Sequence, residues 1–585
     1  MRASTAVIAA VALAACLTAP ASAATITGHR LTYRTTATDH QDRHGSLVTR
    51  LTPTRRPTTA TPHFPLTPLQ IDAVDLAGQP ADTSVYLVNT DVVTDEQADV
   101  PVAGGLGRVA VPAGHYFALA SFVDTDASGK EIADRVAVVN DFTVAPAPAV
   151  NVVTVDERTA TSLTGATTPK PATQDASLLQ LVRTDAHGSG ALATLAQLGG
   201  PNPPLYISPT PKAIIGGLHY VYQWDGRGDG YRYDVAFPSD NGIPADNVFA
   251  VRPEQLATVT QRFDLDRPAS DTGSFLNGAA DPVLNRYAVT EVGSEEGQAM
   301  PGLLTQYLGT ADGGQWAQSV ATPNLGAEYD GEPVTYAAKQ SYQVAWGHGP
   351  LAPGFGNHQD PFAYCGACTA GGTLGLQFNE LNDSVTTHTG QSDSAMDHIT
   401  VSWNGKKIAD ADDIGATAKL PTTKGTLQAV MDTSRDDVVH ATTTHTEITV
   451  KVTGSGPTMP SGGTCAGTGP CRILPALAVH YDLAADMTGT STSATQTMRL
   501  DISHLSYYGV GSHSRITKAA VSVSFDGGQT WQPADLNGSN GKYTAKWRNS
   551  LSTKGISLRV SAADAARNSI SQTIANAYTY VGSQS

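Results

Sequence analysis

Apolar and polar residues alternate along most of this chain with a period of two, the period of a strand with one face buried. Leu69-Gln-Ile-Asp-Ala-Val74 puts Leu69 and Ile71 on one face, Asp75-Leu-Ala-Gly-Gln-Pro80 turns, and Ser84-Val-Tyr-Leu-Val88 returns. Gly107 to Ala120 predicts two strands broken at Pro112-Ala-Gly114. Further strands are predicted at Gly217 to Trp224, Tyr231 to Phe237, Ser341 to Trp346, Asp397 to Trp403 and His445 to Val452. The C-terminal part adds Val521 to Trp531, Ile556 to Ser561 and Ser571 to Tyr580. Glu254 to Phe263 fits either one helical turn or a strand, and Leu31-Thr-Tyr33 predicts a short strand. The expected fold class is therefore all-β, built of tandem β-sandwich modules.

Breaks in this pattern divide the chain. Residues 24–62 are polar, rich in Thr and Arg, and read as an N-terminal extension and linker. Residues 63–160 form a first sandwich, and the Thr/Pro-rich stretch 161–175 reads as a linker. A β-rich domain follows at 176–292 and a sandwich at 293–456, and these two also fit a single unit. Residues 472–585 form the last domain.

Composition agrees with this picture. Gly (56) and Pro (35) are abundant, and 40% hydrophobic against 15% charged residues describes a folded chain. The net charge of -16 disfavours nucleic acid and anionic membrane, which require clustered Lys and Arg. Met1-Arg2, an apolar stretch from Ala6 to Leu17 and Ala21-Ser-Ala23 have the architecture of a signal peptide, 1–23, with secretion of a chain beginning at Ala24. Leu13-Ala-Ala-Cys16 also fits a lipoprotein signal that would anchor the protein through Cys16. No later apolar run has the length of a transmembrane segment. Four cysteines remain after the signal, an even number that in an exported chain argues for disulfides. Three pairings exist, and neighbour pairing, Cys365–Cys368 and Cys465–Cys471, is the simplest.

The strand, turn and aromatic anchor of Val521 to Trp531, followed by the strands at 556–561 and 571–580, resemble the last immunoglobulin-like domain in the tails of secreted actinobacterial subtilisin-like proteases. The run Val111-Pro-Ala-Gly-His-Tyr116 resembles the prealbumin-like modules of the same tails, which makes the module at 63–160 prealbumin-like. Ile243 to Arg252, Leu256 to Val259 and Tyr231 to Pro238 resemble the stretches between them, so the likeness spans roughly 66 to 580. The resemblance implies a non-catalytic accessory role. The family's protease domain has no counterpart here, and no Gly-Thr-Ser-Met-Ala serine motif occurs.

Three groups of residues invite chemistry. Ser524-Phe-Asp-Gly-Gly-Gln-Thr-Trp531 matches an Asp-box, in which Ser524, Asp526, Gly528 and Trp531 would staple a hairpin turn. Asp124-Thr-Asp-Ala-Ser-Gly opens like a calcium loop, with Asp124, Asp126 and Ser128 as ligands, but Arg135 stands where an EF-hand needs its bidentate Glu. His348 and His358 precede Cys365 and Cys368 with zinc-ligand residue types, while export favours disulfides. Neither a Gly-x-Ser-x-Gly elbow nor a His-Glu-x-x-His helix occurs. The expectation is a non-enzyme without cofactor, a secreted binding or scaffold protein that engages a protein or cell-wall polymer. The alternative is a carbohydrate-binding protein or glycan hydrolase, for which Trp224, Trp316, Trp346, Trp403, Trp531 and Trp547 would supply a stacking platform.

Overall fold

A computed structural model describes residues 33–36, 46–53 and 65–582, apart from 94–96, 199–201, 267–270, 282, 285–290, 294–296, 311–313, 324–325, 360–362 and 553. The predicted signal peptide 1–23, with Cys16, lies outside the described residues. The fold is all-β, with three-residue 3-10 turns at Glu157–Thr159 and Pro253–Gln255 and no α-helix among the described residues. The two readings of Glu254 to Phe263 are therefore both realised, the second as the strand Ala257–Phe263.

The front of the molecule has three layers. The strands Leu106–Pro112, Leu66–Val74 and Asn151–Asp156 form the outer sheet, and Thr83–Asn89, Gly114–Thr125 and Glu131–Val144 lie in the sheet beneath it. Alternation on Thr83–Asn89 explains the third layer. Val85 and Leu87 face the outer sheet, while Tyr86 and Val88 face a second core with Leu179, Leu181, Tyr220 and Tyr222. The middle sheet is thus apolar on both faces.

The stretch 161–175, expected to be a linker, is built into these sheets. Ser162–Thr167 runs parallel to Asn247–Ala250 and antiparallel to Leu205–Ile207, which pairs in turn with Glu131–Val144. Residues 168–172 are fastened by three tyrosines: Tyr233 accepts from the Lys170 N–H (3.3 Å), Tyr231 donates to Pro171 O (2.5 Å) and Lys170 Nζ donates to Tyr307 (2.6 Å). A Thr/Pro composition does not make a linker when neighbouring strands supply the missing hydrogen-bond partners.

A nine-stranded sheet forms the next layer. Its order runs from Tyr33–Thr36 and Ser46–Pro53 through Gly190–Leu198, Thr173–Thr184, Gly217–Gly228, Tyr231–Ser239, Gly302–Thr310 and Ala257–Phe263 to Ser341–Trp346. Two of its strands thus come from residues 24–62, set down as extension and linker, and the sheet continues across 292/293. Between it and the sheet holding Asp271–Ala280 and Gln315–Ala321, a buried polar network lies beside an apolar cluster of Val182, Val221, Val259, Leu308, Ala279 and Trp316. Gln306 donates to Asp234 (2.6 Å) and Asn277 (2.7 Å), Gln261 donates to Gln306 (2.7 Å), and Trp346 Nε1 donates to Gln261 (2.8 Å).

The rear half is a sandwich whose main sheet runs Lys406–Ala411, Ala395–Trp403, Gly425–Arg435, Thr443–Val452, Ser569–Tyr580, Ile556–Asp564 and Ile516–Ser524. Its central pairing, Thr443↔Ala575 to Thr449↔Ser569, joins segments that the sequence assigned to different domains, 293–456 and 472–585. Leu477–Leu483, Thr495–His504 and Lys542–Arg548 form the facing sheet. One hydrophobic cluster reaches from Phe263 to Tyr578 through both halves.

Candidate functional site

A dense group of ionisable side chains lies where the nine-stranded sheet meets the rear sandwich. Ala257–Phe263 and Ser341–Trp346 are parallel neighbours with Phe263 beside Trp346, so the chain leaves both strands side by side and Asp264 N donates to Trp346 O (2.9 Å). Gly347 then turns with φ +66°, a conformation that favours glycine, and its N–H donates to Asp383 (3.1 Å). This turn delivers His348 between two carboxylates. Its Nδ1 lies 3.2 Å from Asp264 Oδ1, and its Nε2 lies 3.3 Å from Asp482 Oδ1. Arg262 donates to Asp264 (2.7 Å) and Arg499 Nε to Asp482 (2.8 Å). A parallel pair joins Arg435 to Asp266 (2.8 Å).

Burial opposes the charge on His348, but the hydrogen bonds to Asp264 and Asp482 outweigh it and raise its pKa to about 9. Those from His348 and Arg499 pull Asp482 down to about 2. Desolvation lowers His440 instead, leaving it neutral at pH 7; its Nε2 meets the Thr579 hydroxyl at 2.9 Å. Asp264, His348 and His440 line a cavity of about 40 Å³ with Leu351, Leu483 and Met487. Asp264 Oδ2 and His440 Nδ1 are buried without a protein partner. At roughly 10–15 Å³ per water centre, the cavity accommodates a few waters bridging these two atoms and nothing of substrate size. Its lining contains no Ser, Thr, Cys or Lys nucleophile. The arrangement suits a charge clamp between sheets.

His219 repeats the theme, with Nδ1 at 2.7 Å from Asp240 and Nε2 at 2.5 Å from Asp281. Sequence reasoning found His348 and missed all of its partners, because Asp264 lies 84 and Asp482 lies 134 residues away. No local spacing signals such a contact.

The residues singled out from sequence go to separate places. His358 pairs with Glu332 (3.0 Å) and stacks on Tyr507, apart from His348. The cysteines form two disulfides, Cys365–Cys368 (Cα–Cα 5.8 Å) and Cys465–Cys471 (6.0 Å). Asp124 is hydrogen-bonded by Arg135 (2.8 Å), and Asp126 Oδ1 accepts from Ser128 N (2.8 Å), Ser128 Oγ (2.6 Å) and Lys130 N (3.0 Å). These two carboxylates therefore serve an ion pair and a loop turn. Among the described residues no three His, Cys, Asp or Glu side chains converge as a ligand set. In the hairpin at 524–531, Ser524 Oγ accepts from Gly528 N (2.8 Å), Asp526 accepts from Thr530 N (2.9 Å), and Trp531 Nε1 donates to Gly528 O (3.0 Å). The Arg559 guanidinium lies 4.2 Å from the Trp531 ring centre. Trp224, Trp316, Trp346, Trp403 and Trp547 are all core residues, so the stacking platform of the carbohydrate-binding alternative does not form from them.

No protein-family model and no curated protein matches the chain. Among solved structures, the major pilin subunit BcpA of Bacillus cereus is 9% identical over 48% of this chain and 98% of its own, with a TM-score of 0.11. Three N-terminal domains of the bacteriophage RB49 outer capsid protein Hoc are 8% identical over 63% and 95%, with a TM-score of 0.14. Trypsin-activated alpha-2-macroglobulin from Escherichia coli is 8% identical over 91% and 44%, with a TM-score of 0.12. At such TM-scores these likenesses transfer neither architecture nor function. Among the described residues no helix is long and apolar enough to cross a membrane.

Proposed function

We propose that this chain is a secreted, non-catalytic β-scaffold that presents its loops and outer sheet faces to a protein or cell-wall polymer. The observation that carries this reading is the junction around His348. Its charged groups are engaged with one another, surround a cavity of about 40 Å³ and leave no Ser, Thr, Cys or Lys in the lining. A general base needs a reacting group within hydrogen-bond reach, and here both ring nitrogens already face carboxylates. The two disulfides suit an oxidising compartment. The resemblance to protease tails makes a secreted protease, or a target shared with one, the first partner to examine.

The test is capture of culture-supernatant proteins and purified cell-wall polymers on the immobilised mature chain, alongside a panel of peptidase and glycosidase substrates. Specific retention of one partner without turnover is the expected outcome. Turnover abolished by Asp264→Asn or His348→Gln would overturn the non-catalytic reading.

A further inference from the structure

The two disulfides sit at different depths of one small assembly. Cys365 and Cys368 are fully buried, while Cys465 and Cys471 are half-exposed. Cys368 lies on Ala367–Ala370, which forms a hairpin with Thr373–Gln377. Residues 453–471, between the strands Thr443–Val452 and Arg472–Ile473, contain neither helix nor strand. That exceeds the roughly 12–15 residues of a plain connection, and loops of such length in a packed domain usually have a function of their own. This one is tied beside both buried cysteines. Cys365 N donates to Thr464 O (2.8 Å) and Thr464 N to Ala363 O (3.1 Å). On the other side Ile473 pairs with Cys368, and Leu474 N donates to Ala367 O (2.9 Å). The part closed by Cys465–Cys471 docks on the hairpin backbone to backbone. Gly467 has φ +99°, and a β-carbon there would lie 2.5 Å from Ala370 O; one on Gly371, at φ +54°, would collide with Thr468 O. Only glycine permits that approach.

We propose that residues 459–473 are a redox-controlled strap, in which the outer disulfide Cys465–Cys471 holds the loop on the hairpin and so shields the inner Cys365–Cys368 from thiols. A thiolate opens a disulfide by reaching one sulfur, forming a mixed disulfide with it and expelling the other as thiolate. The second thiol of a dithiol reductant then frees the first cysteine. Two electrons and two protons pass to the protein pair, and the dithiol leaves as a disulfide. Access to sulfur selects the half-exposed outer pair for this attack. Opening it removes the covalent closure of a loop that carries Gly462, Gly463, Gly467 and Gly469, whose backbone gains the most freedom on release. The strap then lifts, and the inner pair undergoes the same exchange. Reduction is ordered, outer before inner, and reoxidation of the outer pair closes the strap again.

The test is a time course of the full mature chain in dithiothreitol at pH 8 without denaturant, with free thiols trapped by iodoacetamide and located by peptide mass spectrometry. Cys465 and Cys471 should be trapped first, and Cys365 and Cys368 about tenfold more slowly or slower still. Cys465→Ser/Cys471→Ser should speed reduction of the inner pair by about the same factor. Where that double variant fails to fold, Gly467→Ala, which wedges the loop off the hairpin with both disulfides kept, carries the test and should speed it likewise. His348→Ala weakens the fold at the junction and controls for global unfolding; its inner pair should react as slowly as in wild type. Trapping of all four cysteines together, or of the inner pair first, would overturn the proposal. So would an inner rate unchanged in Gly467→Ala, or one raised as much in His348→Ala.

Discussion

At neutral pH the imidazole of His348 carries a proton, because its two carboxylate partners outweigh the desolvation that burial imposes. Its folded pKa of about 9 lies above the unfolded value of about 6.5. The stabilisation is therefore fully present below about pH 6.5 and is lost as pH rises through 9. Asp482 has the opposite sign: depressed to about 2, it contributes above its unfolded value near 4 and loses that contribution as pH falls through 2. His348→Ala should cost about 2–3 kcal/mol at pH 6, from the size of the shift. The difference in unfolding free energy from wild type should shrink steadily between pH 7 and pH 10. Denaturant titrations at several pH values measure this, and a gap that stays constant across that range would show that packing, not charge, is what His348 provides. The residue is legible in the sequence only as a histidine among glycines; its role depends on two aspartates that the fold brings from remote positions.

At the scale of single elements the sequence is far more informative. The alternation of Leu69 to Val74, Asp397 to Trp403 and His445 to Val452 becomes strand in each case, because a half-buried strand must put every second side chain in the core. Strand partners are not legible in the same way. Register depends on which apolar faces meet, so nothing local tells Ser162–Thr167 that it will lie beside Asn247–Ala250. Close cysteine spacing is a local signal. Cys365 and Cys368 are separated by 3 residues and Cys465 and Cys471 by 6, and the second loop lies over the first, with Cys365 N donating to Thr464 O (2.8 Å). Non-reducing peptide mapping should recover these two pairs and no crossed product. Cys465→Ser/Cys471→Ser should lower stability by about 2 kcal/mol, the chain-entropy value for so short a loop. Free thiols in the native protein would contradict both statements.

Across the whole molecule, shared sheets bind segments that composition separates. Thr443–Val452 has Gly425–Arg435 on one side and Ser569–Tyr580 on the other, so cutting between 456 and 472 leaves it an unpaired edge. The same cut parts Ile448 and Val450 from Ile570 and Ile574, which belong to one buried cluster. Each fully buried side chain of this kind contributes roughly 1.5–3 kcal/mol, so losing a few of them matches the total stability of an ordinary domain. The junction adds polar ties, with Leu265 N donating to Met487 O (2.9 Å) and Val439 N to Asp266 O (2.8 Å). A chain of independent beads would behave differently: 472–585 would fold alone, and proteolysis would release it intact. The shared sheet predicts that 472–585 and 24–456, expressed separately, are insoluble or lack cooperative unfolding, while 293–585 keeps its central sheet. Limited proteolysis of the native chain should give no stable fragment ending near 456, even where a protease nicks the exposed loop around Gly454 and Ser455. A soluble 472–585 fragment with a sharp thermal transition would show that the Thr443–Val452 pairing is dispensable, and that the two halves fold as separate units.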